Sequence, residues 1–130
     1  GAPYNIALSK EAENFFSLKQ SMPVVFNVLD GKTVNDTLLT GQLIALSKKG
    51  ALLQMSAAGP IKLSALNNLK LNFLRSEVLG LEKTSEDVYA KVIEQKDERE
   101  QGVFQLRFTA KPPAIAAQLD RLYQLISQIN

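Results

Sequence analysis

Two apolar runs of strand length, Gly41 to Leu46 and Ala51 to Met55, are separated only by Ser47-Lys48-Lys49-Gly50. A break this short, built from a hydroxyl residue, two cations and a glycine, forces the chain to reverse, because these are residue types that tight turns accommodate. The stretch reads as a β-hairpin, and a hairpin commits its flanks to an antiparallel sheet. The corner has two readings. In one, Gly50 supplies a positive φ and the lysines keep a sheet edge soluble. In the other, Gly50 lets a ligand approach the backbone while Lys48 and Lys49 meet phosphates as point charges.

The remaining chain supplies further strands. Val24 to Leu29 is rich in Val and Phe and runs into Asp30-Gly31, a strong turn signal. Residues 35 to 47 continue as a strand interrupted at Gly41, where a bulge or close packing is expected. Gly50 to Ser56 returns. Leu69-Lys70-Leu71-Asn72-Phe73 alternates, which sends Leu69, Leu71 and Phe73 inward and Lys70 and Asn72 toward water. Val78 to Glu82 reads as a short edge strand. Val88 to Glu94 follows, with Val88, Ala90 and Val92 on one side. The charged run Gln95 to Gln101 ends at Gly102 and reads as a solvated hairpin loop. In Val103 to Thr109, Phe104, Leu106 and Phe108 alternate with Gln105 and Arg107.

Helical periodicity occurs at the two ends. Ser9 is placed to cap a helix over roughly Lys10 to Lys19, with Glu11 and Glu13 in its first turn and Ala12, Phe15, Phe16 and Leu18 forming an apolar face. Pro23 ends it by Ser21. At the other end Pro112-Pro113 suits a helix start, and Ile115, Leu119, Leu122, Ile126 and Ile129 recur at alternating spacings of four and three. That stripe packs on a core, or, in Leu119, Leu122, Ile126 and Ile129, forms a coiled-coil-like seam with a partner helix in a dimer.

The predicted fold is mainly β: a six-stranded antiparallel barrel with a C-terminal amphipathic helix and a short N-terminal helix. Residues 1–20 form the lead-in and helix, and 21–130 the barrel with its closing helix. The chain has 130 residues, enough for one domain with its own core. No apolar run approaches the roughly 20 residues that span a bilayer, so a cytoplasmic domain without membrane insertion is expected. Gly1 reads as the scar of tag cleavage, and the chain as a piece of a longer protein.

Several function classes are disfavoured. With no Cys and no His, a thiolate zinc site and the commonest general base are both absent. No GxSxG elbow, P-loop or GxGxxG occurs, so no enzyme is expected. The acidic groups Glu11 with Glu13, Glu86 with Asp87, and Asp97, Glu98 and Glu100 suit a hard cation or, more simply, a solvated surface. The net charge of +2 and a longest basic run of two lysines give no nucleic-acid footprint. An oligonucleotide-binding barrel is a distant alternative, opposed by the lack of a basic stripe and by aromatics at core-like strand positions.

The order of these segments resembles a PilZ domain. In that family a strand runs into D/N-x-S-x-x-G, and here Ala45-Leu46-Ser47-Lys48-Lys49-Gly50 occupies that place. Leu69 to Phe73, Tyr89 to Ile93 and Phe104 to Thr109 match the later strands in order and spacing. The resemblance covers about residues 20 to 125 and implies a six-stranded barrel with a C-terminal helix. More weakly, Tyr89-Ala90-Lys91-Val92 and Arg107 to Pro113 are similar to PilZ-related regions beside bacterial nucleotide-cyclase domains.

The resemblance also implies a ligand. PilZ domains are receptors for cyclic di-GMP, whose phosphates are clamped by an RxxxR motif while the D/N, Ser and Gly line the pocket. Ser47 and Gly50 match, but Ala45 stands for Asp or Asn, and Ser17-Leu18-Lys19-Gln20-Ser21 stands for RxxxR. Each lost charge-assisted hydrogen bond forfeits about 1.5–3 kcal/mol, against about 8 kcal/mol for a micromolar complex. The expectation is a non-catalytic bacterial signalling module acting through a protein partner or a neighbouring domain, with no cofactor. The rival is a cyclic di-GMP receptor using Ser47, Lys48, Lys49 and Gly50, with Lys19 or Arg75 contributed from elsewhere.

Overall fold

In the computed structural model, residues 14–30, 33–34, 37–55, 66–73, 87–95 and 102–129 are described. They form β1 (Phe16–Asp30), β2 (Thr33–Val34), β3 (Leu39–Leu46), β4 (Gly50–Met55), β5 (Asn68–Phe73), β6 (Val88–Gln95), β7 (Val103–Ala110) and α1 (Pro113–Ile129). The strands pair antiparallel in the order β1-β3-β4-β7-β6-β5, and β5 pairs back onto β1. That last pairing closes a six-stranded barrel and removes the sheet edges there. The two-residue β2 extends one end through Leu29↔Val34 and Asp30↔Thr33.

Alternation explains the barrel wall. Leu69, Leu71 and Phe73 of β5, and Val88, Ala90 and Val92 of β6, are fully buried, while Lys70 and Asn72 are half-buried on the outside. Met22, Val24 and Phe26 of β1 and Leu43 of β3 meet them in the core. Each such side chain contributes about 1.5–3 kcal/mol by leaving water. Outside the wall, Asp87 ties the start of β6 to β5, pairing with Lys70 at 3.5 Å and accepting a hydrogen bond from Asn72 at 3.4 Å.

The amphipathic stripe of α1 is directed into the same core. Ile115, Leu119 and Ile126 are buried, and Leu122 and Tyr123 pack against the cluster. Phe16 of β1 meets Tyr123 edge-on with ring centroids 5.7 Å apart. Pro113 takes the first helical position, where a missing N–H costs nothing, and Ala116 N–H bonds the Pro112 carbonyl at 2.9 Å. Among the described residues no helix is long and apolar enough to cross a membrane.

The N-terminal helix needs correction. Of the segment expected over Lys10 to Lys19, residues 16–19 are strand, and residues 10–13 lie outside the described residues. Phe16 and Leu18, read as a helix face, instead pack on the core from β1. The 15-residue β1 carries an irregularity between Ser17 and Met22, where its register against β3 shifts. Pro23 sits just before Val24↔Phe73, where β5 joins as the second neighbour of β1, a place that tolerates a residue without an N–H. The strand expected at Val78 to Glu82 lies outside the described residues. Gln105, read as facing water, is 3% exposed, and its Oε1 has no hydrogen-bond partner among the described residues.

Candidate functional site

The hairpin forms as its residue types dictate. β3 and β4 pair from Gly41↔Met55 to Leu46↔Ala51, leaving Ser47 to Gly50 as the corner. Ser47 and Gly50 close it reciprocally. Ser47 N–H donates to the Gly50 carbonyl at 3.0 Å, and Gly50 N–H donates to Ser47 Oγ at 3.0 Å. Ser47 is only 6% exposed, so the hydroxyl satisfies a backbone donor that would otherwise be buried unpaired. Lys48 and Lys49 project from the corner and are exposed.

Gly50 is glycine for a different reason than the turn predicted. Among the described residues only Leu66 and Gly102 have positive φ. Gly50 instead lies opposite Arg107 on β7. A Cβ there would overlap the Leu106 carbonyl oxygen and stand 3.2 Å from Arg107 Cα. Close approach of two backbones is the constraint. Gly41 shows the same effect more mildly, with an added Cβ 2.7 Å from the Gln54 carbonyl oxygen, which answers the expectation of close packing there.

The register of β1 against β3 brings the remaining candidate positions beside the corner. Phe16 faces Leu46, and Ser17 faces Ala45. Lys19 lies in the irregular stretch that follows and is exposed. Ser21 donates a hydrogen bond to Gln42 Oε1. Ala45 is 4% exposed, and Ser17 is exposed. Arg75 lies outside the described residues. The corner thus offers exposed ammonium groups above a turn already hydrogen-bonded to itself, with the exposed Arg107 of β7 opposite Gly50. Of the acidic clusters considered for a cation, only Asp87 is described, and among the described residues no group of three or more potential metal ligands gathers.

The helix positions considered as an interaction surface behave differently. Leu119 and Ile126 are buried in the chain's own core and Leu122 is half-buried against it, while Ile129 ends the helix. Leu125, at 54% exposure, is the large apolar residue that α1 turns outward. Two of the four positions considered for a helix seam, Leu119 and Ile126, are thus occupied by the chain's own core.

Sequence reasoning did not single out the outer face beyond the corner. Across β4, β7, β6 and β5, Gly50, Arg107, Lys91 and Asn68 stand opposite one another in a single row. Two cations are direct cross-strand neighbours in it. Next to that row is Leu66, with φ 72° and 69% exposure. Their outward positions were visible in the alternation of each strand, but the juxtaposition depends on register.

No family model matches the chain, and no curated protein matches it. Solved structures do. The chain is similar to the PilZ domain of CeSA from a cellulose synthesizing bacterium, with 19% identity and a TM-score of 0.51, over 89% of this chain and 97% of that one. It is also similar to the PilZ domain of YcgR from Escherichia coli, solved with c-di-GMP, with 15% identity and a TM-score of 0.60, over 91% and 92% of the two chains. The closed six-stranded barrel and its C-terminal helix are therefore the fold of a PilZ domain.

Proposed function

We propose that the chain is a non-catalytic regulatory module of PilZ type that works through a protein partner or a neighbouring domain, without binding cyclic di-GMP by the usual motifs. The observation that carries this reading is the pairing of Ser17 with Ala45. These are two of the places where the PilZ pattern has Arg and Asp or Asn. They lie side by side on β1 and β3, and neither side chain brings a charge or a guanidinium plane to a phosphate or a guanine. The Ser47 and Gly50 that remain have an architectural role: one satisfies a buried amide, and the other admits β7.

Calorimetric titration with cyclic di-GMP tests this. The reading predicts no saturable binding up to about 100 μM, weaker than about 5.5 kcal/mol. A dissociation constant below about 1 μM overturns it. A second reading, a receptor with an unconventional site, is favoured by the exposure of Lys48, Lys49 and Lys19. It predicts measurable binding that Lys48→Glu with Lys49→Glu abolishes.

A further inference from the structure

We infer that Phe16 to Gln20 form a strap that opens from the barrel as one unit, pivoting at Ser21, and that its opening releases the second half of α1. The inference goes beyond the regulatory reading. It supplies a moving part for such a module, and it holds whether or not a nucleotide binds at the corner.

β1 is one strand by direction but two by support. From Val24 to Leu29 it is paired with β5 throughout, and Val24 to Phe26 pair with β3 as well. Phe16 to Gln20 have no β5 partner among the described residues, and only Phe16↔Leu46 and Ser17↔Ala45 join them to β3. Between Ser17 and Met22, four residues of β1 stand against Ile44 alone. Ile44 is also skipped in the ladder to β4, where Leu43↔Leu53 is followed by Ala45↔Leu52. A ladder interrupted in this way bends and loses pairing at that point. The far side of the break is pinned, because Ser21 Oγ donates to Gln42 Oε1 and Pro23 faces the same Gln42. That places the pivot.

Burial changes at the same point. Met22, Val24 and Phe26 are at most 1% exposed, whereas Phe16 and Leu18 are half-buried and Ser17, Lys19 and Gln20 are exposed. Segments with few buried apolar contacts and few protected backbone bonds open at lower cost than the core, and the strap is poor in both. Detaching it leaves the barrel closed, since every pair between β1 and β5 lies beyond the pivot.

What the strap holds is α1. Of the strands, β1 is the one that α1 lies against most closely, and the edge-on contact of Phe16 with Tyr123 joins the two. An aromatic pair of this kind contributes beyond its buried area. Ile115 and Leu119 anchor the first half of α1 in the core. From Leu122 to Gln128 only Ile126 is buried, and Leu122 and Tyr123 are half-buried. The second half of α1 therefore leans on Phe16, and an opening strap removes that support. Phe16 also faces Leu46, next to the corner, so the strap connects the corner to the helix. A partner that binds the open strap better than the closed one would shift α1 by the same equilibrium.

Native-state hydrogen exchange, followed by NMR on the full chain in water and in low urea, tests this. The protected amides from Phe16 to Gln20 and from Leu122 to Ile126 should exchange about a hundredfold faster than those of Val24 to Val28. The faster class should share one opening equilibrium nearly independent of urea, and the slower class should show the steep dependence of global unfolding. Because the chain has no Cys, Ser17→Cys with Ala45→Cys places a single disulfide across a directly paired position. Oxidised, this variant should slow the strap and the second half of α1 by about tenfold or more, and reduction should restore the original rates. Tyr123→Ala, which needs no disulfide, should speed the strap amides about tenfold with the urea dependence still shallow. A single exchange class with one urea slope overturns the inference. So does a disulfide that slows the strap but leaves α1 unchanged, or indifference of the strap to Tyr123→Ala. The regulatory reading fails on a separate measurement, tight binding of cyclic di-GMP, so the two failures are distinguishable.

Discussion

The hairpin corner and the approach to β5 solve opposite problems. At the corner every local choice agrees with the fold. Ser47 and Gly50 bond each other, and the absent Cβ of Gly50 is what lets β7 pair closely. On the approach to β5, by contrast, Leu66 is exposed in a backbone conformation that suits glycine. Consistency across levels is the mark of residues kept for structure, and local conflict the mark of residues kept for something else. That agreement is what supports the proposal that the stretch resembling a ligand signature is kept as scaffold.

The largest expected effect tests the corner. Gly50→Ala forces a methyl group onto the Leu106 carbonyl and should cost about 3 kcal/mol, read by urea denaturation. A loss under about 1 kcal/mol would mean that β4 and β7 can separate there at little cost. Ser47→Ala comes next. It strips the buried Gly50 amide of its acceptor and should cost about 2 kcal/mol. If Ser47 were kept for a ligand alone, stability would hardly change.

On the approach to β5 the sign should reverse. Leu66→Gly relieves the left-handed backbone and should stabilise the chain by about 0.5–1 kcal/mol. The smallest effect belongs to α1. Leu125→Glu alters an exposed position and should stay within about 0.5 kcal/mol of the parent, with an unchanged sedimentation coefficient across concentrations. A concentration-dependent shift abolished by this change would restore a helix-mediated dimer.

Much of this was legible in the chain itself. The strict alternation of Leu69 to Phe73 and of Val88 to Val92 is enough to place β5 and β6, and the four-three spacing from Ile115 to Ile126 places α1. The first half of β1 was not legible. Phe15, Phe16 and Leu18 after a capping serine match a helix, and only the long-range pairing of Phe16 with Leu46 and Ser17 with Ala45 makes that segment a strand. Gly50 was misread for a related reason: the atoms that exclude its Cβ belong to β7, more than fifty residues away in sequence. Gln105 alternates as an outward residue yet is buried. Cross-strand neighbours such as Lys91 and Arg107 become visible only once the register is known.

The role of the corner is tested most directly at the amide of Gly50. In the free protein this N–H is hydrogen-bonded to the buried Ser47 Oγ. Hydrogen exchange followed by NMR should find it protected, unchanged by cyclic di-GMP, and exposed to exchange in Ser47→Ala. Rapid exchange in the free protein that slows on adding cyclic di-GMP would contradict this account, because the corner would then be a site completed by its ligand.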